Sequence, residues 1–181
     1  MKRIWVDRDK CLGCKTCELQ CAVDRGSVAK TLQEAIAEFP KPLARVGVFG
    51  PTGSAFPIQC RHCQDAPCIQ TCPSGAMHRE EDGLVMVDQD VCRGCWMCVM
   101  ACPFGAIVPD PEAKVAIKCD ACKDMEQPAC VAACPTGALI YGDDTAYGQV
   151  LAKRRSRVAL FARGDSGQVV SLEYTREGDE G

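Results

Sequence analysis

Residues 92–106 read CRGCWMCVMACPFGA, and this stretch decides the fold. Cys92, Cys95 and Cys98 are separated by two residues each, and Cys102 follows after three, with Pro103, Gly105 and Ala106 behind it. The same template occurs three more times outward along the chain. Cys11, Cys14, Cys17 and Cys21 repeat it without deviation. Cys60, Cys63, Cys68 and Cys72 widen one gap to four residues, and Cys119, Cys122, Cys130 and Cys134 widen it to seven. All 16 cysteines of the 181 residues fall into these groups, so none is left for another purpose. Behind three groups the same tail recurs, Cys-Pro-x-Gly-Ala-apolar, starting at Pro73, Pro103 and Pro135; Ala22 stands in that place after Cys21. Self-similarity of this kind marks one supersecondary unit used repeatedly.

The spacing has a chemical reason. Three thiolates two residues apart on a tight loop can wrap three corners of a cubane, while the fourth, three residues on, reaches a different cluster. Sixteen thiolates, four to a cluster, predict four [4Fe–4S] clusters, with iron held by those sixteen cysteines and no other residue type. The proline is expected to open a helix after the fourth cysteine, where its missing N–H is harmless. Zinc sites instead use separated C-x2-C pairs closed by Cys or His partners. Disulfides belong to oxidising compartments.

Composition narrows the function classes. Hydrophobic residues at 47 % and charged residues at 25 % sit near the globular mean and exclude a disordered or collagen-like chain. Aromatics are only 6 %, so something other than aromatic rings must fill the interior. A net charge of −3 without basic excess argues against nucleic-acid binding. The opening MKRIWVDRDK has no apolar h-region or twin arginine, and no stretch reaches the roughly 18 apolar residues of a membrane span. A soluble, cytoplasmic chain is expected, placed at the inner face of the membrane only through a partner. There is no H-E-x-x-H, no phosphate loop and no G-x-G-x-x-G on a βαβ unit, and Ser54 and Ser74 lack a nucleophile's partners. The reading is therefore a protein that moves electrons and performs no bond chemistry of its own.

Between the cysteine groups, short strands are predicted after each Gly-Ala turn, with second strands at Leu84–Val87 and Val115–Ile117 beyond polar turns at Glu80–Gly83 and Pro109–Ala113. Val28, Leu32, Ala35, Ile36 and Phe39 recur at helical spacing and predict an amphipathic helix over Thr31–Phe39, ended by Pro40. It would cover a cluster or dock a partner. Turns and short extended pieces follow through Gly53. The one basic run, Lys153, Arg154, Arg155, Arg157 and Arg163, surrounds Val158–Phe161, read as a short strand or packed arm. That arm would be solvated, or would dock an acidic partner or lipid. Thr175–Gly181 is expected to fray.

With these residues in view, the chain resembles the four-cluster electron-transfer subunits of molybdenum and tungsten oxidoreductases, formate-dependent hydrogenases and carbon monoxide dehydrogenases. KTLQEAIAEFPKPLARV at 30–46, FPIQCRHCQDAPC at 56–68 and GCWMCVMACPFGAI at 94–107 bring it nearest the ferredoxin-like subunit that partners nickel carbon monoxide dehydrogenase. The resemblance implies an α+β fold of two bacterial dicluster ferredoxin-like modules related by pseudo-two-fold symmetry. Residues 1–27 plus 114–150 would form one module and 56–113 the other, with a connector at 28–55 and an arm and tail at 151–181. It implies nested ligation: Cys11, Cys14, Cys17 with Cys134; Cys119, Cys122, Cys130 with Cys21; Cys60, Cys63, Cys68 with Cys102; and Cys92, Cys95, Cys98 with Cys72. Spacing alone equally allows pairing of adjacent groups. The implied partners are a catalytic subunit, carbon monoxide dehydrogenase first, and an outlet such as a hydrogenase or a flavin NAD(P) reductase. A tungsten aldehyde oxidoreductase, a formate dehydrogenase, a hydrogenase and a free polyferredoxin are the alternatives, and a zinc-binding interaction module is a third class.

Four oxidised clusters with their thiolates would carry the chain from −3 to about −11. Such charge calls for backbone N–H groups, close-approaching glycines and nearby cations. Gly13 and Gly94 occupy one position in their loops, and Lys15, Arg61, Arg93, Lys118 and Lys123 lie beside ligands, some of them expected to raise a cluster's potential. Trp96 and Met97 read as a hydrophobic wall, His62 as a neighbour of a cluster or a surface residue, and His78 as exposed.

Overall fold

The computed structural model describes residues 2–51 and 54–162. The chain divides into two compact units, Met1–Asp143 and Asp144–Gly181.

In the first unit, short elements alternate with the cysteine loops. Strand β1 (Arg3–Val6) leads through a 3-10 turn at Arg8–Lys10, which the Asp7 carboxylate caps by accepting from the Asp9 N–H at 3.3 Å. Helices α1 (Thr16–Cys21), α3 (Pro67–Gln70), α4 (Met97–Ala101) and α5 (Ala129–Ala132) each carry the third cysteine of a group. The third and fourth cysteines are four residues apart, about one helical turn, so the three-residue gap is filled by one turn of helix.

The prolines do not open helices, contrary to the expectation. Each is the second residue of a turn that ends the preceding one, closed by Gly75 N to Cys72 O at 3.3 Å, Gly105 N to Cys102 O at 3.2 Å and Gly137 N to Cys134 O at 3.2 Å. Proline fixes the φ that this turn position needs and cannot extend the helix. Where Ala22 replaces it, the chain stays helical and α1 runs on into a π-helical turn at Ala22–Gly26.

Among the described residues, four two-stranded antiparallel sheets complete the unit. Strands β4 (Met77–Arg79) and β5 (Val85–Val87) form one hairpin, and β6 (Ile107–Asp110) and β7 (Val115–Lys118) another, close to the predicted strands, although β6 runs two residues into the expected Pro109–Ala113 turn. Strands β2 (Val46–Phe49) and β3 (Phe56–Gln59) pair where only short extended pieces were foreseen. Strand β8 (Leu139–Gly142) returns to β1, with Val6 opposite Leu139 and Arg3 opposite Gly142.

Two buried clusters result. One joins Ile4, Val46, Val48, Val131 and Leu139 to Cys17, Cys21, Cys119 and Cys130. The other joins Met77, Val85, Ile107 and Ala116 to Cys68 and Cys98. Cysteine sulfur replaces the missing aromatic bulk in both.

The insert helix α2 covers only Leu32–Ala37, capped by Thr31 accepting from Glu34 N at 3.4 Å. It stops early because Glu38 is extended, its carboxylate accepting from the Ser27 hydroxyl at 2.5 Å and from the Val28 and Ala29 N–H groups at 3.1 Å. Pro40 further disfavours a helical Phe39. The apolar face is not packed away: Ala35 is buried, whereas Val28 and Phe39 are 91 % and 90 % exposed.

In the second unit, Asp144–Ala162 is one helix, α6, which corrects the strand or extended arm expected at Val158–Phe161. A run containing Ala, Leu, Gln, Lys and Arg and no proline favours helix over its local β-branched residues. No helix among the described residues is long and apolar enough to cross a membrane. Arg163 and the Thr175–Gly181 tail lie outside the described residues.

Candidate iron–sulfur centres

In each motif the first C-x-x-C loop turns on a left-handed third residue. Gly13 has φ 68°, His62 46°, Gly94 62° and Ala121 56°. Left-handed residues also precede α1 and α4, at Lys15 and Trp96. These turns fold the backbone around a space that the cysteines then face.

Cys92, Cys95 and Cys98 line one cavity with Cys72. Cys11, Cys14 and Cys17 line a second with Cys134, and Cys60, Cys63 and Cys68 a third with Cys102. The remaining four, Cys21, Cys119, Cys122 and Cys130, lie within electrostatic reach of one another: Cys130 is pushed up by burial first and then by the other three.

The sulfurs accept hydrogen bonds from the backbone. Arg45 N donates to Cys21 at 3.2 Å, Ala138 N to Cys134 at 3.3 Å, Ala106 N to Cys102 and Met77 N to Cys72 at 3.4 Å, and Ala116 N to Cys92 at 3.5 Å. Such donors favour sulfur that carries negative charge. At Cys72 and Cys134, donors from the following turn outweigh burial and lower the thiol pKa, and at Cys14 the Thr16 hydroxyl does so. Burial pushes Cys17 and Cys98 up to about 11 and the enclosed Cys119 to about 12. Bare thiolates are disfavoured there, and a bound cation reverses that preference.

These features fit [4Fe–4S] clusters: four sulfurs around each cavity, N–H groups directed at them, and a buried interior.

The surroundings differ from one set to the next. Cys14 and Cys95 are exposed, and Trp96 lines the cavity beside Cys95. His62 is buried, not at the surface. Its Nδ1 accepts from Val85 N at 3.1 Å, leaving the proton on Nε2, which is buried without a partner. Burial and then Lys118 lower its pKa to about 4, so it is neutral. His78 is exposed, as expected. Of the five cations noted from sequence, Lys15 pairs with Glu18 at 3.9 Å, Lys123 with Glu80 at 2.6 Å, and Arg61 stacks 5.9 Å from the centre of the Phe56 ring. Arg93 lines the cavity of Cys92, Cys95 and Cys98, and Lys118 is buried.

Sequence reasoning missed Arg25, Arg45 and Asp120. Asp120 lies between Cys119 and Cys122 and accepts from both arginines, with Arg45 at 2.6 Å; Arg25 also holds Asp124 at 2.8 Å. Although burial opposes it, Arg45 and Arg25 keep the Asp120 carboxyl below the ordinary carboxylate range. Its place inside a C-x-x-C loop was the available signal.

Comparison with known proteins agrees with this chemistry. The chain matches the 4Fe-4S dicluster domain over residues 52–144 and the 4Fe-4S binding domain over residues 8–24. Electron transport protein HydN of Escherichia coli K12 is 39 % identical over 175 residues, 87 % of this chain and 97 % of that protein. One of the subunits of anaerobic dimethyl sulfoxide reductase from the same organism is 41 % identical over 95 residues, 50 % of this chain and 46 % of that subunit. An iron–sulfur protein of Rhodospirillum rubrum is 41 % identical over 92 residues, 51 % of this chain and 47 % of that protein. The alignments thus span about half the length of the latter two. Among solved structures, a chain of the BamBC complex of benzoyl coenzyme A reductase aligns over 90 % of this chain and 94 % of its own length at 23 % identity and a TM-score of 0.43, a likeness too loose to bear on function. With sixteen cysteines in four ferredoxin-type motifs, the protein carries four [4Fe–4S] clusters and belongs to the 4Fe-4S dicluster domain family of electron-transfer iron–sulfur proteins.

Proposed function

We propose that the protein relays single electrons between a catalytic oxidoreductase subunit and a second redox protein, with the nested ligand sets holding its four clusters in two dicluster modules. The observation that carries this is the lining of the cavities: in each of three, three cysteines of one motif meet the fourth cysteine of another. Each cluster, when bound, takes up and gives up one electron. The chain's own residues set the conditions. The backbone N–H groups of Met77, Ala106 and Ala138 support charge on the sulfurs of the fourth cysteines. Apolar side chains such as Leu139, Val85 and Met77 keep water from the cavity walls. Cys17 acts electrostatically on Cys130, and Cys60 on Cys119, which brings three of the sets together, and Cys68 and Cys98 of the remaining pair share one buried cluster.

For the catalytic partner, the sequence resemblance favours carbon monoxide dehydrogenase, while a relative named as part of dimethyl sulfoxide reductase supports oxidoreductase partners more widely. A second reading, a free carrier, is favoured by the near full-length match to a relative named as an electron transport protein. Anaerobic purification tests the relay first. About sixteen irons and sixteen sulfides per chain, reducible in single-electron steps, are expected; about four zinc ions and no sulfide would overturn it. Capture from the native host with metal analysis then separates the partners. Co-purifying nickel with a carbon monoxide dehydrogenase chain supports the leading reading, tungsten or molybdenum moves the relay to other chemistry, and an unaccompanied iron–sulfur protein supports the free carrier.

A further inference from the structure

Among the described residues, Lys118 is the only buried lysine or arginine, 3 % exposed. None of the ion pairs among the described residues includes it. Its Nζ donates to two backbone carbonyls, Val85 O and, at 3.1 Å, Cys119 O. The nearby Asp120 carboxylate is already taken by Arg25 and Arg45. A buried ammonium satisfied only by carbonyls is strongly disfavoured unless negative charge lies close by.

The two carbonyls show where that charge would be. Val85 lines the cavity of Cys60, Cys63, Cys68 and Cys102. Cys119 belongs to the set with Cys21, Cys122 and Cys130. The ammonium therefore stands where two ligand sets meet.

We propose that Lys118 is a fixed counter-charge shared by these two clusters, raising the reduction potentials of both and leaving the other two nearly unchanged. The inference rests on the ligation proposed above. Each one-electron reduction adds a negative charge to a cluster that is already anionic, and a cation at the junction stabilises the reduced form, more so in a low-dielectric interior than in water. The electron comes from a neighbouring cluster or an external reductant, and no proton need move. Arg61, Arg93, Lys15 and Lys123 are more exposed and better screened, and Arg25 and Arg45 share their charge with Asp120, so of the cations beside ligands Lys118 is the unpaired one whose charge should count most.

The test is a potentiometric titration, followed by electron paramagnetic resonance, of the anaerobic holoprotein and three variants. Lys118→Met removes the charge and keeps the stem, Lys118→Gln keeps a donor without charge, and Lys118→Arg keeps the charge. With iron still near sixteen, two of the four potentials should fall in the neutral variants and stay near the wild-type values in Lys118→Arg. No shift, or an equal shift in all four, would overturn the proposal. If the neutral variants lose iron and Lys118→Arg does not, the charge is needed to retain the clusters and the counter-charge role stands. Equal loss in Lys118→Arg would make the residue a packing element and sink the idea. Failure of the ligation itself is distinguishable: with four clusters paired otherwise, the wild-type protein keeps about sixteen irons, but Cys14→Ala with Cys134→Ala removes about eight of them instead of about four.

Discussion

The third residue of the first C-x-x-C loop in each motif shows how closely the backbone must approach a cluster. All four are left-handed, yet only two are glycine. Sequence reading could flag Gly13 and Gly94, because glycine is the usual occupant of that region. It could not flag His62 and Ala121, whose side chains tolerate a positive φ only because the surrounding loop holds them there. Gly94 allows no substitute: a Cβ there would lie 2.5 Å from the Lys114 carbonyl oxygen. Gly94→Ala should therefore strain both the loop and its neighbour, at a cost of about 1–3 kcal/mol. The expected outcome is a protein that loses its iron faster, beginning with about a quarter of the total, measured as iron release to a chelator under anaerobic conditions. Release as slow as in the wild type would show that the loop can move to accept the methyl group. Asp120 had the opposite fate in the sequence: its position was visible, but its partners Arg25 and Arg45 are 95 and 75 residues away, and no local pattern announces such a pair.

At the scale of elements, a single residue after the fourth cysteine decides whether the helix ends. Pro73, Pro103 and Pro135 end it in a turn, while Ala22 lets α1 continue, its N–H bonded to the carbonyls of Glu18 and Leu19. Ala22→Pro removes that donor and places a ring against the carbonyl four residues back, a loss of about 3 kcal/mol. Pro103→Ala only frees the unfolded chain and should cost about 0.4–1 kcal/mol. Anaerobic denaturation of the two holoproteins should rank them in this order; equal effects would mean that the π-helical turn contributes nothing. The strands β4, β5 and β7 could be anticipated because turn chemistry and short apolar runs are local signals. The insert and α6 were read less well for the same reason. The apolar periodicity of Val28 to Phe39 is real, but Glu38 is claimed by Ser27, Val28 and Ala29, and the helix stops. Around Val158–Phe161, local strand preference gave way to the helical tendency of nineteen residues.

At the scale of the molecule, spacing fixes how many clusters there are but leaves open which motif lends its fourth cysteine to which set. The answer depends on long-range closure: β1 pairs with β8 across the whole first unit, carrying Cys134 toward the loop of Cys11, Cys14 and Cys17. Sequence can suggest this only through resemblance, since any pairing of motifs satisfies the same spacing. The proposed nesting makes a quantitative prediction from paired substitutions. Cys14→Ala and Cys134→Ala should each remove one cluster, about four irons. If both ligate the same cluster, the double variant loses no more than either single one, because effects on one shared unit do not add. Cys122→Ala with Cys134→Ala should instead remove about eight irons, since those residues would serve different clusters. Iron counts, with the number of resonance signals in the reduced protein, read the result directly. A loss of about eight irons from the Cys14/Cys134 pair together with about four from the Cys122/Cys134 pair would place Cys134 with its own motif. The nested arrangement, and with it the junction at which Lys118 is proposed to act, would then have to be redrawn.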